Sequence, residues 1–215
     1  MIIRHNDLPL TYFEAAPHQE PGLPMVIVLH GRGADARDLI DLSGFVDPDP
    51  KLRFLFANAP RRFEPTPGYS IGWTWFEGWI EEASFVDSRE KLMAFVDGAE
   101  TKYAPPRIVF MGFSQGGVMA LDIGLRRGAA GIVVMSGAVY QEGLPDIPQQ
   151  PPILITHGTL DDMIPIDAAR ATKKVLEILG LTVEYHEFPM GHYVTPESME
   201  VVREFVAKVL AKERS

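Results

Sequence analysis

The stretch VFMGFSQGGVMAL, Val109 to Leu121, joins an apolar run to a helical pattern through a serine flanked by glycines. The pattern G-x-S-x-G between a buried strand and a helix is typical of a nucleophile elbow, a tight turn that exposes a serine hydroxyl. Gly112 and Gly116 keep that turn free of side chains, and the following helix directs its positive dipole end toward Ser114. We therefore predict that Ser114 is a nucleophile; the alternative is a tight turn with no chemical role.

Six short apolar runs predict strands. They span residues 25–31, 52–60, 107–113, 131–138, 152–158 and 182–188. Most are nearly continuous rather than alternating, which is typical of parallel strands covered on both faces. The segments IIRH and LTYFEA, on either side of Asn6 and Asp7, predict a leading hairpin.

Helical periodicity recurs between these runs. The patterns span residues 36–43, 86–103, 114–127, 165–179 and 196–212. The predicted buried stripes are Leu92, Phe95 and Val96 in the second pattern, Ala168, Ala171, Val175, Leu176 and Leu179 in the fourth, and Met199, Val202, Phe205, Val206 and Leu210 in the fifth. Strands that alternate with helices predict an α/β fold, with a mostly parallel central sheet and helices on both faces. The length favours a single domain over residues 1–215.

The composition excludes several classes of protein. The chain has 215 residues, 46% of them hydrophobic, and no cysteine, which excludes disulfides and a cysteine nucleophile. Its net charge of −9 and the lack of a basic stripe argue against a nucleic-acid partner. No metal-ligand spacing such as H-E-x-x-H and no phosphate-binding glycine motif occurs, so we expect neither a metal nor a cofactor. The first residues lack the apolar core of a signal peptide and no run is long enough to span a membrane, so we expect a cytoplasmic protein.

A nucleophilic serine needs a base and an acid, which follow it in the order serine, acid, histidine in this architecture. His192 follows the last apolar run and is the predicted base. Asp161 and Asp162 both follow the run before it. We expect one of them to bind His192 and the other to cap the helix that begins near Ile164 and Pro165, and spacing alone leaves both assignments open.

The oxyanion of an acyl-transfer intermediate needs two preorganised backbone donors. One is expected from Gln115, the residue after the nucleophile, and the other from the loop HGRGAD, residues 30–35. The glycines of that loop let its backbone approach a substrate closely; the alternative is a glycine-rich turn without a ligand. His30 and His157 each precede a glycine at a strand end, and we expect them to shape the loops by hydrogen bonding.

Residues 61–83 do not fit the alternation of strands and helices, and they contain all three tryptophans. A loop of this length inside a compact domain is usually functional or has local structure of its own. We predict a loop or lid in which Trp73, Trp75, Phe76 and Trp79 line an apolar acyl or aryl pocket. The alternative is that these rings pack onto the core.

Four blocks occur in order: LHGRGAD, GFSQGG, HGTLDDMIP and GHYVTPE. Together they resemble the phospholipase/carboxylesterase family of α/β hydrolases, which includes acyl-protein thioesterases and small bacterial carboxylesterases. The resemblance covers almost the whole chain and implies the α/β-hydrolase fold and a homodimer. It assigns the acid to Asp161 and the base to His192. It assigns the oxyanion donors to the backbone N–H groups of Arg32 and Gln115.

Two positions depart from the pattern of that family. Arg32 stands where leucine is frequent, and Glu77 in WTWFEGW stands where aspartate is usual. We expect a serine hydrolase that cleaves carboxylic esters of small or medium acyl or aryl substrates through an acyl-enzyme. The alternatives are an acyl-protein or acyl-CoA thioesterase, a lysophospholipase, and a non-catalytic binding scaffold. The expected partner is therefore a small-molecule ester or thioester.

Overall fold

The computed structural model describes residues 2–140, 144–147 and 149–211. The strands among these residues are β1 (Ile2–His5), β2 (Tyr12–Ala15), β3 (Met25–Leu29), β4 (Arg53–Ala57), β5 (Arg61–Phe63), β6 (Gly72–Thr74), β7 (Ile108–Phe113), β8 (Gly131–Met135), β9 (Ile153–Gly158) and β10 (Val183–Phe188). Eight of them form one sheet in the order β1-β2-β4-β3-β7-β8-β9-β10, and β5 and β6 form a separate pair. Strand β2 pairs antiparallel with β1 and β4, and the other neighbours in the large sheet are parallel. The predicted mostly parallel sheet and leading hairpin are confirmed.

The central strands are buried on both faces. Every residue of β3, β4, β8 and β9 is buried, which accounts for their nearly continuous apolar sequences. Successive side chains of a strand point to opposite faces, so Ile27 and Leu29 pack in one core and Val26 and Val28 in the other. Several strands end earlier than the predicted runs, because the last residues of those runs form loops at the carboxyl edge of the sheet.

Helices cover both faces of the sheet, as predicted. They are α1 (Leu42–Val46), α2 (Glu82–Tyr103), α3 (Gln115–Arg127), α4 (Ile166–Ile178) and α5 (Pro196–Ala211), with a short 3₁₀ helix at Ala36–Leu39. Side chains of α2, α3 and α4 pack on the face that carries Ile27, and side chains of α1 and α5 pack on the opposite face. The stripes predicted for α2 and α5 are buried, except that Leu210 is half-buried.

Two of the predicted helices differ from the structure by more than one residue at a limit. The pattern 36–43 divides into the 3₁₀ helix and α1. Helix α2 begins at Glu82 rather than at residue 86, because the Glu81 carboxylate accepts two backbone N–H groups and caps the first turn. The final residue of the predicted helix 196–212 lies outside the described residues. Within the described ranges, no helix is both long enough and apolar enough to cross a membrane.

The buried stripe of α4 differs from the predicted one. The fully buried residues are Ala169, Thr172 and Leu176, whereas Ala171 and Leu179 are exposed. Thr172 tolerates burial because its hydroxyl donates to the carbonyl of Ala168 at 2.8 Å and accepts the N–H of Val139 at 3.0 Å. The hydroxyl of Thr172 is satisfied as donor and as acceptor, so the residue can occupy a core position. A search for apolar residues at helical spacing does not identify such a position.

The tryptophan-rich segment 61–83 has local structure of its own. Strands β5 and β6 pair antiparallel, and the chain then enters α2. A Cβ atom at Gly72 would lie 2.1 Å from the carbonyl oxygen of Gly33, so the segment lies directly against the loop that follows β3. Trp75 follows β6 into the core and is fully buried.

Candidate active site

The turn between β7 and α3 holds Ser114 in an unusual backbone conformation. Its φ of 55° and ψ of −121° cost an L-residue about 1–3 kcal/mol, which the surrounding packing must offset. A Cβ atom at Gly112 would lie 2.0 Å from the carbonyl oxygen of Gly116, and one at Gly116 would lie 2.0 Å from that of Leu29. The turn can therefore close only with glycine at both positions. Its geometry is that of a nucleophile elbow.

His192 is bound by Asp161. The Nδ1 atom of His192 lies 2.8 Å from Oδ2 of Asp161. The other carboxylate oxygen, Oδ1, accepts the N–H groups of Met163 at 2.9 Å and Ile164 at 2.8 Å. Burial raises the pKa of Asp161, but the hydrogen bonds from the Ile164 N–H and from His192 outweigh it and lower the pKa below its usual value. Asp161 is therefore an ionised hydrogen-bond acceptor for the imidazole.

The expectation that the second aspartate caps α4 is wrong. Asp162 is exposed, and α4 begins after Pro165 without a side-chain cap. Asp161 performs both tasks, because one of its oxygens closes the turn at Met163 and Ile164 while the other binds His192.

Two further histidines shape the loops, as expected. The Nε2 atom of His157 lies 2.8 Å from the carbonyl oxygen of Ile164 and 3.4 Å from Oδ2 of Asp161. The Nε2 atom of His30 accepts the N–H of Ala59 at 3.0 Å. The proton of the neutral His30 ring must therefore sit on Nδ1, which lies 2.7 Å from the carbonyl oxygen of Gly31 and donates to it. Burial lowers the pKa of His30, which keeps the ring neutral.

The bond between His30 and Gly31 orients the next backbone donor. A peptide group is planar and trans, so its C=O and N–H point in opposite directions. Because His30 holds the carbonyl of Gly31, the N–H of Arg32 points away from His30. Neither the N–H of Arg32 nor that of Gln115 has an acceptor among the described residues. Both are therefore available as oxyanion donors.

One cavity of about 340 Å³ brings the predicted residues together. Ser114, His192, Arg32 and Gln115 contribute to its lining, and the ring of Phe113 lies 4.9 Å from the His192 ring. Apolar side chains form most of the remaining wall. They include Leu39, Phe76, Trp79, Val118, Val139 and Ile164.

The structure separates the four predicted pocket aromatics. Phe76 and Trp79 line the cavity, and Trp79 is 67% exposed at its mouth. Trp73 and Trp75 do not line it, which corrects that part of the prediction. The Trp73 ring lies 4.0 Å from the Arg62 guanidinium, and the buried Trp75 ring donates its Nε1–H to the carbonyl of His30 at 2.9 Å. These two rings are held by partners on the protein itself.

Two side chains in the cavity wall have contacts that sequence reasoning missed. The Arg32 guanidinium donates to the carbonyl of Gly78 at 3.2 Å and lies 5.4 Å from the Phe63 ring. The Gln115 side chain forms hydrogen bonds with Thr74, Trp75 and Phe76. The partners lie far away in the sequence, so no local spacing indicates them.

The chemical groups in this cavity are those that nucleophilic acyl transfer requires. A serine on a strained turn, an imidazole held by a carboxylate and two free backbone N–H groups meet at the carboxyl edge of a parallel sheet. No cluster of metal-binding side chains occurs in the described ranges.

The sequence and structure of this chain are similar to those of known esterases and thioesterases. Residues 10–210 match the family model described as Phospholipase/Carboxylesterase. A relative named acyl-protein thioesterase 1, from Gibberella zeae, is 28% identical over 204 residues, which are 90% of this chain and 75% of that protein. The crystal structure of esterase PE8 superposes on this chain with a TM-score of 0.81. The match covers 91% of this chain and 97% of the esterase chain, and the two sequences are 29% identical. The carboxylesterase from Mesorhizobium loti is 20% identical with a TM-score of 0.79 over 96% of this chain and 98% of its own, which shows a common fold.

The predicted α/β-hydrolase fold is thereby confirmed, and the class is that of esterase and thioesterase hydrolases. The family match extends over nearly all of the sheet and includes the elbow, the loop after β3 and the loops that carry Asp161 and His192. This chain belongs to the phospholipase/carboxylesterase family.

Proposed function

We propose that the chain is a serine hydrolase that cleaves carboxylic esters of small or medium acyl or aryl substrates. Ser114 is the nucleophile, His192 the base and Asp161 the residue that orients the base. The observation that carries the proposal is the 2.8 Å bond between His192 and Asp161 at the wall of the cavity that also holds the strained Ser114. The bond occupies Nδ1 of the imidazole and leaves Nε2 available for the serine hydroxyl.

The reaction proceeds in two acyl transfers. His192 takes the hydroxyl proton as the Ser114 oxygen attacks the carbonyl carbon, and the N–H groups of Arg32 and Gln115 bind the resulting oxyanion. Collapse of this intermediate breaks the bond to the leaving oxygen, which takes the proton from His192, and the acyl group remains on Ser114. Water then attacks the acyl-enzyme, gives its proton to His192 and releases the carboxylic acid, while Ser114 regains its proton.

The cavity supports the substrate class. A volume of about 340 Å³ is at the small end of the range for ligand pockets, roughly 300–1,000 Å³. Its wall is mostly apolar, with Phe76 and Trp79 on one side and Val118 and Ile164 among the other lining residues. This suits an aliphatic or aryl group of modest size.

Thioester hydrolysis is the second candidate. The relative from Gibberella zeae is named an acyl-protein thioesterase. The same residues serve both reactions, since a leaving thiolate needs less protonation than a leaving alkoxide. The choice between the two depends on the leaving group that the cavity mouth admits.

Labelling with a fluorophosphonate, followed by intact mass, tests the proposal without a guess at the substrate. We expect one adduct on the wild type and none on Ser114→Ala. Ser136→Ala is the matched control, because Ser136 shares the positive φ of Ser114, at 49°, but is fully buried and does not line the cavity. Ester and thioester panels of increasing acyl length would then rank the two candidates.

The result that would end the proposal is equal labelling of the wild type and Ser114→Ala, or no labelling of either together with no ester or thioester hydrolysis. Loss of the adduct in Ser136→Ala as well would show that the labelling reports folding rather than the nucleophile.

A further inference from the structure

The segment from Trp73 to Phe76 lies between the two loops that supply the oxyanion donors. On one side it is bonded to the loop after β3. The Gly33 N–H donates to the carbonyl of Trp73 at 2.9 Å, and the Trp73 N–H donates to the carbonyl of Ala34 at 2.9 Å. The Trp75 ring adds the bond from Nε1–H to the carbonyl of His30 at 2.9 Å. These bonds hold the backbone on both sides of Arg32.

On the other side the same segment is bonded to the elbow through the Gln115 side chain. Its Oε1 accepts the Thr74 hydroxyl at 3.0 Å and the Trp75 N–H at 3.1 Å, and its Nε2 donates to the carbonyl of Phe76 at 2.8 Å. Gln115 is buried, so these bonds are protected from water.

Trp75 joins the two loops by itself. Its backbone N–H reaches Gln115 on the elbow, and its ring N–H reaches His30 on the other loop. Its carbonyl accepts from Arg61 at 3.2 Å and from the Ser88 hydroxyl, which fixes the segment to α2 as well. The residue is fully buried, so these hydrogen bonds are shielded from solvent.

We propose that residues 73–76 are a brace that fixes the separation of the two oxyanion donors, with Trp75 and the Gln115 side chain as positioning residues. The inference rests on the proposed function, since it assigns a task within that reaction. Trp75 thus acts on the acyl group through Arg32 and Gln115, without touching it.

The N–H groups of Arg32 and Gln115 lie in loops distant in sequence, so contacts between the loops must fix the distance between these two donors. An oxyanion donor acts within about 2.7–3.1 Å of the developing charge, and loss of one donor lowers kcat by roughly 10²–10³. Close packing at Gly116 also holds the elbow against the end of β3, where a Cβ atom would lie 2.0 Å from the carbonyl oxygen of Leu29. The brace ties the same two loops together through its own hydrogen bonds. A change in the position of one loop would therefore disturb its hydrogen bonds to the segment that also holds the other loop.

The test compares Trp75→Phe and Gln115→Met with the wild type on a short neutral aryl ester. Trp75→Phe removes the ring donor to His30, and Gln115→Met removes all three side-chain bonds while keeping the backbone N–H. We expect kcat to fall about tenfold or more in each variant, with KM changed by less than about twofold. The reason is that the two donors bind the negative charge that develops in the transition state, which the bound substrate does not yet carry. The inhibition constant of a trifluoromethyl ketone, which forms a tetrahedral oxyanion adduct, should rise in parallel with the loss of kcat.

Phe95→Leu is the control for lost packing. Phe95 is fully buried in the same core cluster as Trp75 and lies on α2, outside the cavity lining. We expect it to lower the melting temperature with kcat within about twofold of the wild type. If Trp75→Phe does not fold, Gln115→Met carries the test.

Three outcomes would count against the brace. If both variants keep the wild-type kcat and show only a lower melting temperature, as expected for Phe95→Leu, residues 73–76 stabilise the core and do not position the donors. A raised KM at unchanged kcat would make Trp75 a residue that holds bound substrate. A wild type without Ser114-dependent labelling or hydrolysis would overturn the proposed function and the brace together, whereas the first two outcomes leave the proposed function intact.

Discussion

At the scale of the residue, the His30 side chain shows how hydrogen bonds fix the loops around the candidate active site. His30 uses both ring nitrogens, one as acceptor from Ala59 and one as donor to Gly31. A second proton on Nε2 would point at the Ala59 N–H, so the folded protein tolerates only the neutral ring. Burial acts in the same direction, because it lowers the pKa of His30.

The stability of the protein should therefore depend on pH through His30. In the unfolded chain its pKa is about 6.5, and in the folded protein it is lower. As the pH falls below about 6.5 the unfolded state binds a proton that the folded state does not, so the free energy of unfolding decreases and then levels off below the folded pKa. We expect that decrease between pH 7.5 and 5.5 to be smaller in His30→Gln, measured by urea unfolding. Equal slopes in the wild type and His30→Gln would refute the expectation.

At this scale the sequence predicted the residues that follow local rules. Ser114 was recognisable from its glycines, and His192 from its place after the last strand. Asp161 and Asp162 could not be separated by spacing, because a carboxylate in that loop can either cap a helix or bind the imidazole. The pocket assignment of Trp75 was wrong, because a buried indole is defined by the acceptor of its N–H, and that acceptor, His30, lies far away in the sequence.

At the scale of the element, the contact between β3, β7 and α3 decides whether the elbow forms. The helix approaches the strands so closely that backbone meets backbone at Gly116, and a side chain there has no rotamer that avoids the contact. The apolar runs predicted these strands well, because a strand buried on both faces has few polar residues. Helix α4 was predicted less well, because Thr172 is buried with its hydroxyl satisfied.

A graded series of glycine substitutions tests this contact. A Cβ atom would lie 2.0 Å from a carbonyl oxygen at Gly116 and 3.1 Å from one at Gly117, whereas no atom lies within 4 Å at Gly44 in α1. We expect Gly116→Ala to destabilise the protein by about 3 kcal/mol or more and Gly117→Ala by less. Gly44→Ala should be neutral or stabilise by up to about 1 kcal/mol, since alanine favours the helix. Urea unfolding measures all three, and a different order of stabilities would contradict the packing argument.

At the scale of the whole molecule, a buried ion pair joins parts of the chain that pack at one edge of the sheet. Arg53 on β4 and Glu14 on β2 are both fully buried, with Nε and Oε1 2.8 Å apart. Arg53 also donates to the carbonyl of His18, and the Tyr103 hydroxyl at the end of α2 donates to Glu14. The hairpin, the sheet and α2 are thereby connected. Alternation of apolar and polar residues does not predict such a pair, since charged residues are normally assigned to the surface.

Replacing only Arg53 should lower the free energy of unfolding more than replacing both Arg53 and Glu14. Arg53→Leu leaves the buried Glu14 carboxylate without its guanidinium partner, next to only the Tyr103 hydroxyl and the His5 ring, and we expect a loss of about 3–5 kcal/mol in unfolding free energy. Adding Glu14→Leu should recover part of that loss, so a double-mutant cycle will show strong coupling. Arg203→Leu, which breaks an exposed pair with Glu200, should cost about 1 kcal/mol or less. Additive effects of the two core substitutions would argue against coupling.

The order of the strands has a consequence for a chain that is still being made. Synthesis delivers the amino-terminal part first, so the residues of the elbow and of the loop after β3 are made before those of β10, the outermost strand at the far edge. His192 follows β10, so it can line the cavity beside Ser114 only after that strand has been made. Under the proposed mechanism, a polypeptide that ends before His192 has the Ser114 hydroxyl but no base to remove its proton. The proposed chemistry therefore becomes possible only after both β10 and His192 have been made.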